Sequence, residues 1–192
     1  MKSVSDWELV ARTRLGDTTA FAELVGRYQG PIIHFCQGML GSLEDAEDVA
    51  QETFVRLYRH VPRLKPKAKF ATVVFGIARN LALNHLRDGK RRGLHAARSM
   101  TQSDGIERAV PDSSTRPDRE MRLREIEAYV TRGLAMLSPE HREVLVLREL
   151  EGFDYETIAK IVRCRDGTVK SRLARAREQL RMHLVSLGGE LL

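Results

Sequence analysis

Apolar residues recur three or four positions apart through most of this 192-residue chain, and alternating, strand-like runs are few. Phe21, Leu24 and Tyr28 begin one such stripe, and Val49 and Phe54 belong to another. Residues that favour helix N-termini precede the stripes: Ser5, Asp17, Ser42, Ser138 and Asp154. The pattern therefore predicts an all-α protein.

Glycine and proline residues set the expected ends of these helices. Gly16 follows the first helix, and Pro31 should kink or break the second helix near Gly30. A further helix should run from Phe70 to Asp88 and end at Gly89. The Pro62–Lys69 segment is predicted to be a loop because it contains two prolines.

The stretch Gly93–Pro117 has no helical period and is rich in Ser, Asp, Arg and Thr. Such composition is typical of a flexible linker. A helix over Asp118–Leu137 and another after Ser138–Pro139 follow it, the latter with Val144, Leu147 and Leu150 in the core. The expected organisation is two small helical domains, residues 1–92 and 120–192, joined by a flexible linker over residues 93–119.

The segment Tyr155–Arg181 has the pattern of two short helices with a tight break between them. In the second helix Val169, Leu173 and Ala176 form an apolar stripe, and the other faces are basic. Eight Lys or Arg residues stand against three Asp or Glu from Glu156 to Arg181. A helical hairpin with a solvated basic face is one interpretation. A DNA-binding helix-turn-helix is the better one, because a basic second helix can enter a major groove.

Charge is divided unevenly along the first half. The net charge of the chain is +6 and its pI is about 9.6, which suggests a polyanionic partner. Glu44–Glu52 contains five acids and no base, whereas Arg56–Arg92 contains eleven Lys or Arg and one acid. Two different partners are therefore expected, a basic protein surface and a nucleic acid.

Cysteine usage and hydropathy exclude several classes of protein. Cys36 and Cys164 are far apart and neither belongs to a Cys-x-x-Cys pair, so we expect no structural metal site and no disulfide. Both are predicted to be small buried side chains in a reducing compartment. We expect no membrane insertion, because no apolar run approaches the length of a bilayer span, and a cytoplasmic protein without a cofactor.

Three motifs in this order resemble a known family: DAEDVAQETF, IARNLALNHLR and GTVKSRLARAR. Residues 5–92 resemble region 2 of bacterial sigma factors, and residues 120–183 resemble region 4. The absence of a domain between the two in a chain of this size is similar to the extracytoplasmic-function (ECF) group of the sigma-70 family. The resemblance implies a protein that binds core RNA polymerase and directs it to promoters.

The resemblance also implies roles for particular residues. The acidic helix would dock the clamp helices of the largest polymerase subunit through Asp45, Asp48, Gln51, Glu52 and Phe54. The polymerase flap is a further contact that the resemblance implies. The basic loop that follows the acidic helix, together with the helix after that loop, would recognise and open the −10 element. The residues are Lys65, Lys67, Lys69, Phe70, Arg79, Asn80, Asn84, Arg87 and Arg91. Six residues would bind the −35 element: Lys170, Ser171 and Arg175 at groove-facing positions, Arg165 and Thr168 at the DNA backbone, and also Arg172. An anti-sigma factor is usual for the family.

Two positions depart from the family pattern. Val73 stands where the family often has Trp, at the end of Phe70-Ala71-Thr72-Val73. Valine suits a core but removes an aromatic platform. The loop Lys65-Pro66-Lys67 is also unusual, so the preferred −10 base does not follow from the resemblance.

Two other classes of function would each explain part of the sequence. A stand-alone regulator of LuxR-like type would use the same helix-turn-helix, but it would leave the first 92 residues unexplained and offers no evident dimerisation helix. A nucleic-acid-processing enzyme could use the acids at 44–52 to hold Mg²⁺. Helix capping explains those acids, and no nucleophile and base accompany them.

Overall fold

A computed structural model describes residues 4–99 and 118–188, and regular structure within those ranges is helical throughout. The first half contains α1 to α4 and the second half contains α5 to α8. The helices are α1 Asp6–Arg14, α2 Thr18–Leu40, α3 Leu43–His60, α4 Phe70–Ser99, α5 Asp118–Ala135, α6 Pro139–Leu145, α7 Tyr155–Val162 and α8 Asp166–Gly188. A 3₁₀ turn, Val61–Arg63, follows α3, and a π-turn, Val146–Leu150, continues α6. The all-α prediction is confirmed.

Five predicted N-caps are confirmed by hydrogen bonds from the first turn of the helix to the cap side chain. Ser5, Asp17, Ser42, Ser138 and Asp154 each accept a backbone N–H at the start of α1, α2, α3, α6 and α7. These bonds satisfy donors that have no partner inside the helix. The local sequence therefore determines where most helices begin.

Of the kink or break predicted near Pro31, the break is wrong, since α2 continues through Pro31 to Leu40. Proline removes one backbone hydrogen bond, at a cost of about 3 kcal/mol. Ile32, Phe35, Cys36 and Met39 beyond it are fully buried, and that apolar burial offsets the lost bond. The helix ends at Gly41, one of the two glycines at which the sequence predicts an end, and Gly41 adopts the left-handed conformation at φ 77°.

The predicted end of α4 at Gly89 is also wrong, because the helix reaches Ser99. A glycine inside a helix costs only about 1 kcal/mol, and the sequence after it is rich in Lys, Arg and Ala, which favour helix. Residues 93–99 and 118–119 of the predicted linker are therefore helical. The remainder of that linker, residues 100–117, lies outside the described residues.

The second half buries the predicted stripe of α8, with Val169, Leu173 and Ala176 almost inaccessible. Val144 and Leu147 are buried as predicted, but Leu150 is 57% exposed. The π-turn changes the residue spacing after α6, and Leu150 turns out of the core as a result. Gly152, at φ 69°, then redirects the chain towards α7.

The two halves pack against each other. The π-turn lies on α2, and α7 lies on α4. Phe75 of α4 meets Phe153 edge to face, with ring centroids 4.8 Å apart. Gly38 of α2 lies so close to Val146 that a β-carbon there would come within 3.0 Å of both Val146 γ-carbons. The closest approach of the halves thus depends on the absence of a side chain at residue 38.

Candidate nucleic-acid and polymerase interfaces

The segment predicted to be a helix-turn-helix forms two helices, α7 and α8, joined by a three-residue turn. Asp154 caps α7, and the backbone N–H of Thr157, the Thr157 hydroxyl and Lys69 lower the pKa of its carboxyl group to about 2. Arg163 ends α7 in the left-handed conformation at φ 57°. The Cys164 N–H then donates to the Ala159 carbonyl oxygen at 3.0 Å. This Schellman-like ending fixes the angle at which α8 leaves α7.

One face of α8 and the turn before it is polar and open to solvent. Arg165, Lys170, Ser171 and Arg175 are exposed, whereas Thr168 and Arg172 are partly buried. The Ser171 hydroxyl donates to the Thr168 carbonyl oxygen at 3.0 Å. The six residues predicted to bind the −35 element thus lie in the turn and the first three turns of one helix. Guanidinium and ammonium donors in that position suit the acceptors of guanine and the phosphates beside it.

The basic loop before α4 is held by side chains from α1. The Trp7 Nε1–H donates to the Ala68 carbonyl oxygen at 3.1 Å, and Arg14 donates to the carbonyl oxygens of Val61 and Leu64. Lys65, Lys67 and Lys69 are exposed on this loop, as a phosphate-binding role requires. These contacts between α1 and the loop could not be predicted from the periodicity of either segment.

Phe70, predicted to contact −10 DNA, is only 2% exposed. Its ring lies between Trp7 and Tyr28, with centroid distances of 5.7 and 5.4 Å. The side chain belongs to the core, because burying a phenyl ring among aromatics is worth more than leaving it in water. Phe70 therefore supports the loop and does not present a surface to DNA.

The polar residues of α4 divide into two groups. Asn80, Asn84, Arg87 and Arg91 are exposed, and Arg87 donates to the Asn84 side-chain oxygen at 2.8 Å. Arg79 instead forms a bidentate ion pair with Glu143 of the second half. Two guanidinium nitrogens of Arg79 donate to the two carboxylate oxygens of Glu143, at 2.7 and 3.1 Å. In this conformation Arg79 is occupied by a protein carboxylate.

Val73 is partly buried and packs against the core, as expected of valine at this position. Its neighbour Thr72 has a buried hydroxyl oxygen without a hydrogen-bond partner among the described residues. The start of α4 therefore presents no aromatic surface at residue 73 on which a base could stack.

An acidic helix face lies beside an apolar groove in the first half. Asp48 and Gln51 are exposed, Glu52 pairs with Arg56 at 2.7 Å, and Asp45 lies 3.3 Å from His85. Phe54 is buried apart from 8% of its surface, where it lines the groove. The groove has a volume of about 790 Å³, and its other apolar lining residues are Phe21, Val25, Ile33, Ala50, Val55 and Tyr58. Only Phe54 of this apolar lining was identified from the sequence as a site residue.

A second apolar groove, of about 430 Å³, lies between α5, the π-turn and α8. Val130, Leu134, Leu145, Val146, Leu150, Leu180 and Leu184 line it. The pair of Glu149 and Arg177, 2.6 Å apart, stands at its rim. The 57% exposure of Leu150, unexpected from the periodicity, is explained by this groove.

Metal chemistry has no evident place in the part of the chain that the structure describes. No group of three or more His, Cys, Asp or Glu side chains there could hold a metal ion. Cys36 is buried, and burial raises the pKa of its thiol to about 12. Cys164 is only half-buried, in contrast to the prediction. Across residues 4–99 and 118–188, each helix is too short or too polar to cross a bilayer.

A helix-turn-helix in the second half, and a basic helix near an acidic helix face in the first half, are together typical of a DNA-binding protein. The family model of sigma-70 region 2 matches residues 24–92, and that of sigma-70 region 4 matches residues 127–180. The chain belongs to the sigma-70 family of RNA polymerase sigma factors, in its ECF group. It is a sigma factor and acts in transcription initiation.

Relatives match along nearly the whole chain. The RNA polymerase sigma-H factor of Pseudomonas aeruginosa is 37% identical over 177 residues, which cover 91% of each chain. The ECF RNA polymerase sigma-E factor of Haemophilus influenzae is 34% identical, covering 93% of this chain and 95% of the relative. The ECF sigma factor SigW of Bacillus subtilis is 30% identical, covering 93% and 96%. Because region 2 accounts for the first half, a stand-alone LuxR-like regulator is not favoured.

Two solved structures share the fold. The sigma factor RpoE of Bartonella quintana, solved with the anti-sigma factor NepR, has a TM-score of 0.65 and 25% identity, covering 85% of this chain and 96% of that one. CnrH, solved with the cytosolic domain of CnrY, has a TM-score of 0.69 and 21% identity, covering 95% and 99%. The second likeness concerns the fold alone.

Proposed function

We propose that this sigma factor binds core RNA polymerase through surfaces on both halves and reads the two promoter elements with separate helices. The exposed polar face of α8 carries the proposal, because Lys170, Ser171 and Arg175 lie together on that helix and Arg165 lies in the tight turn just before it. Such a helix places donors along base edges in a major groove. In this proposal α8 reads the −35 element, with Thr168 and Arg172 at its edge.

The −10 element would meet the loop and the exposed side of α4. Lys65, Lys67 and Lys69 neutralise phosphates, and the amides of Asn80 and Asn84 contact unpaired bases of the opened strand. Arg87 and Arg91 continue the basic surface along the helix. Phe70 is excluded from this contact set by its burial.

Core polymerase would dock on the acidic face of α3 and in the groove beside it. Asp48, Gln51 and Glu52 supply charge and hydrogen-bond acceptors to a basic partner, and the aromatic lining of the groove supplies apolar area. Electrostatic complementarity of this kind raises the association rate and orients the partner. The groove between α5 and α8 is proposed to receive the polymerase flap.

An anti-sigma factor is proposed to regulate this protein. The RpoE relative was solved in complex with the anti-sigma factor NepR. Both apolar grooves of this chain could bind amphipathic helices of such a partner. If the anti-sigma factor uses the grooves that polymerase uses, the two partners should compete, and an excess of either should displace the other in a capture assay.

The proposal is tested by sequencing the genomic DNA fragments retained by purified core polymerase with and without this protein. We expect fragments that are enriched only when both proteins are present, and that share two short elements at constant spacing. Enrichment of a palindromic site by the protein alone, with no added effect of core polymerase, would favour a stand-alone regulator.

A further inference from the structure

The basic loop between α3 and α4 is bound at both ends by a single helix, α1. At the start of the loop, the Arg14 guanidinium group donates to the Val61 carbonyl oxygen, at 3.0 Å, and to that of Leu64. At its end, the Trp7 indole N–H donates to the Ala68 carbonyl oxygen at 3.1 Å. Side-chain donors of this kind satisfy loop carbonyl groups and fix the path of the backbone. The segment between Leu64 and Ala68 therefore spans two fixed points.

That short segment is itself a tight turn. The Lys67 N–H donates to the Lys65 carbonyl oxygen at 2.8 Å, which closes a three-residue turn around Pro66. Proline suits the central position, because its ring fixes φ near the value that such a turn needs. Both lysine side chains are exposed, whereas Leu64 and Ala68 on either side are partly buried. The exposed turn, with one cation on each side of the proline, is therefore preformed in the free protein.

The conformation of this loop bears on how an unpaired base of the −10 strand is selected. A base is distinguished by hydrogen bonds to its edge, and these bonds need donors and acceptors at fixed positions. A loop that is free to adopt many conformations accommodates several bases and loses conformational entropy when it binds. A loop held in one conformation avoids that loss and discriminates against bases that do not fit.

We propose that Arg14 and Trp7 are positioning residues that fix the base preference of the loop at the −10 element without contacting DNA. This role rests on the −10 function proposed above for the loop. Val73 offers no aromatic ring on which a base could stack, so selection depends more heavily on the geometry of the turn. Three hydrogen bonds from α1 set that geometry. A helix that lies outside the loop thus determines which base the loop accepts.

The double variant Arg14→Lys with Trp7→Phe removes the bonds to the loop and keeps the charge and most of the packing. Lysine retains the cation but lacks the planar fork that donates to two carbonyl oxygens at once. Phenylalanine keeps an aromatic ring next to Phe70 and has no N–H to donate. Circular dichroism and thermal unfolding establish that the variant is folded before it is assayed.

The matched control is Arg12→Lys with Tyr28→Phe, the same kinds of substitution on side chains whose hydrogen bonds go to carboxylates. Arg12 donates to Asp17 at the start of α2, and the Tyr28 hydroxyl donates to Asp6 of α1. The Tyr28 ring also meets the Phe70 ring, with centroids 5.4 Å apart. Both double variants therefore disturb the same aromatic cluster, and only one releases the loop.

Cleavage by trypsin reports on the loop in the free protein, without polymerase or DNA. Trypsin cuts after exposed lysines in mobile segments, so the bond after Lys67 is a candidate, whereas Pro66 protects the bond after Lys65. We expect the double variant of Arg14 and Trp7 to be cut there several times faster than the wild type, and the control to match the wild type. Equal rates in all three proteins would overturn the inference, because α1 would not hold the loop.

Base preference is measured with the full-length proteins and core polymerase on promoters randomised in both elements, by sequencing the transcripts. At the most selective −10 position, the preference for the best over the worst base should fall about five- to tenfold in the double variant. Its −35 preference should equal that of the wild type, and the control should keep both preferences. Lost stability alone would lower all transcription and leave these ratios unchanged. A wild-type −10 preference in the double variant would overturn the inference, even with faster cleavage of its loop.

Failure of the proposed function gives a different result. If the wild type and both double variants yield no transcripts that depend on the protein, the −10 function of the loop is wrong. The role of Arg14 and Trp7 in base selection then fails with it, and the cleavage rates still report whether α1 holds the loop. If the wild type selects a −10 base and the double variant selects it equally well, only the positioning role is contradicted.

Discussion

The indole ring of Trp7 meets the Phe70 ring edge to face, with centroids 5.7 Å apart and planes at 84°. The same indole donates its N–H to Ala68, two residues before Phe70. A residue near the N-terminus thus fixes the last residues of the basic loop. Aromatic packing on the buried side of the loop holds it in place, and its lysine side chains are exposed to solvent.

Phe70→Ala should destabilise the protein and should not act as a simple loss of a DNA contact. Removing a buried phenyl ring costs about 3–5 kcal/mol, which urea unfolding would measure. Lys67→Ala is the control, since an exposed lysine should change stability by less than about 0.5 kcal/mol while weakening single-strand binding. Unchanged unfolding of Phe70→Ala with lost promoter opening would show that Phe70 contacts DNA after all.

Arg175→Ala should weaken use of the native promoter and alter the preferred −35 sequence. A base-reading arginine contributes about 1–3 kcal/mol of discrimination, so transcription at limiting protein should fall roughly 5- to 150-fold. Transcription from a library of −35 variants measures both effects. Arg181→Ala, an exposed arginine later on α8 that pairs with Glu178, is the matched control and should leave the preference unchanged.

Reversing charge on α3 should weaken binding to core polymerase and leave the fold intact. The double variant Asp48→Lys with Glu52→Lys replaces acceptors on the proposed docking face with cations. Titration of labelled protein with core polymerase should show a slower association and a weaker complex, most clearly at low salt. The control is Glu156→Lys on α7. Equal affinity of the double variant and wild type would remove α3 from the docking surface.

Stability should depend on pH through Glu151, whose pKa is raised by burial from 4.5 to about 7. One of its oxygens is buried without a hydrogen-bond partner among the described residues. The folded form holds the proton more tightly than the unfolded chain, so the free energy of unfolding falls as pH rises from about 4.5 to 7. The loss should be roughly 1–2 kcal/mol, discounted because the side chain is partly exposed.

Glu151→Gln removes this titration and keeps the size of the side chain. Its melting temperature should exceed that of the wild type at pH 8, and the difference should shrink at pH 5. Glu140→Gln, at an exposed position in α6, should show no such trend. A difference that grows towards pH 5 would mean that the ionised form of Glu151 is the one the fold stabilises.

Local signals in the sequence predict the helices well where caps and periodicity agree. Asp154, Ser138 and Asp17 each start a helix as predicted, because their side chains bond to the next turn without help from the rest of the chain. Pro31 and Gly89 mislead because distant burial or neighbouring helix formers outweigh their local cost. A proline or glycine inside a helix lowers the stability of that helix by a few kcal/mol at most, and packing of the rest of the chain offsets this cost.

The site residues follow the same division. The basic faces of α4 and α8 can be predicted from the charge of the residues and their helical spacing, since both are properties of the local sequence. The burial of Phe70 depends on Trp7, 63 positions earlier, and the pairing of Arg79 depends on Glu143, 64 positions later. The helical periodicity of a segment does not indicate contacts with residues so far away in the sequence. The two apolar grooves are invisible for the same reason, because each needs two or more helices to form it.

Run-off transcription is the most direct test of whether this protein directs core polymerase to specific promoters. Purified bacterial core polymerase would transcribe a library of promoter fragments with and without the protein. We predict discrete transcripts that appear only with the protein and whose upstream sequences share a −10 and a −35 element. A folded protein that binds core polymerase yet yields no protein-dependent transcript from a library covering the source genome would contradict the account.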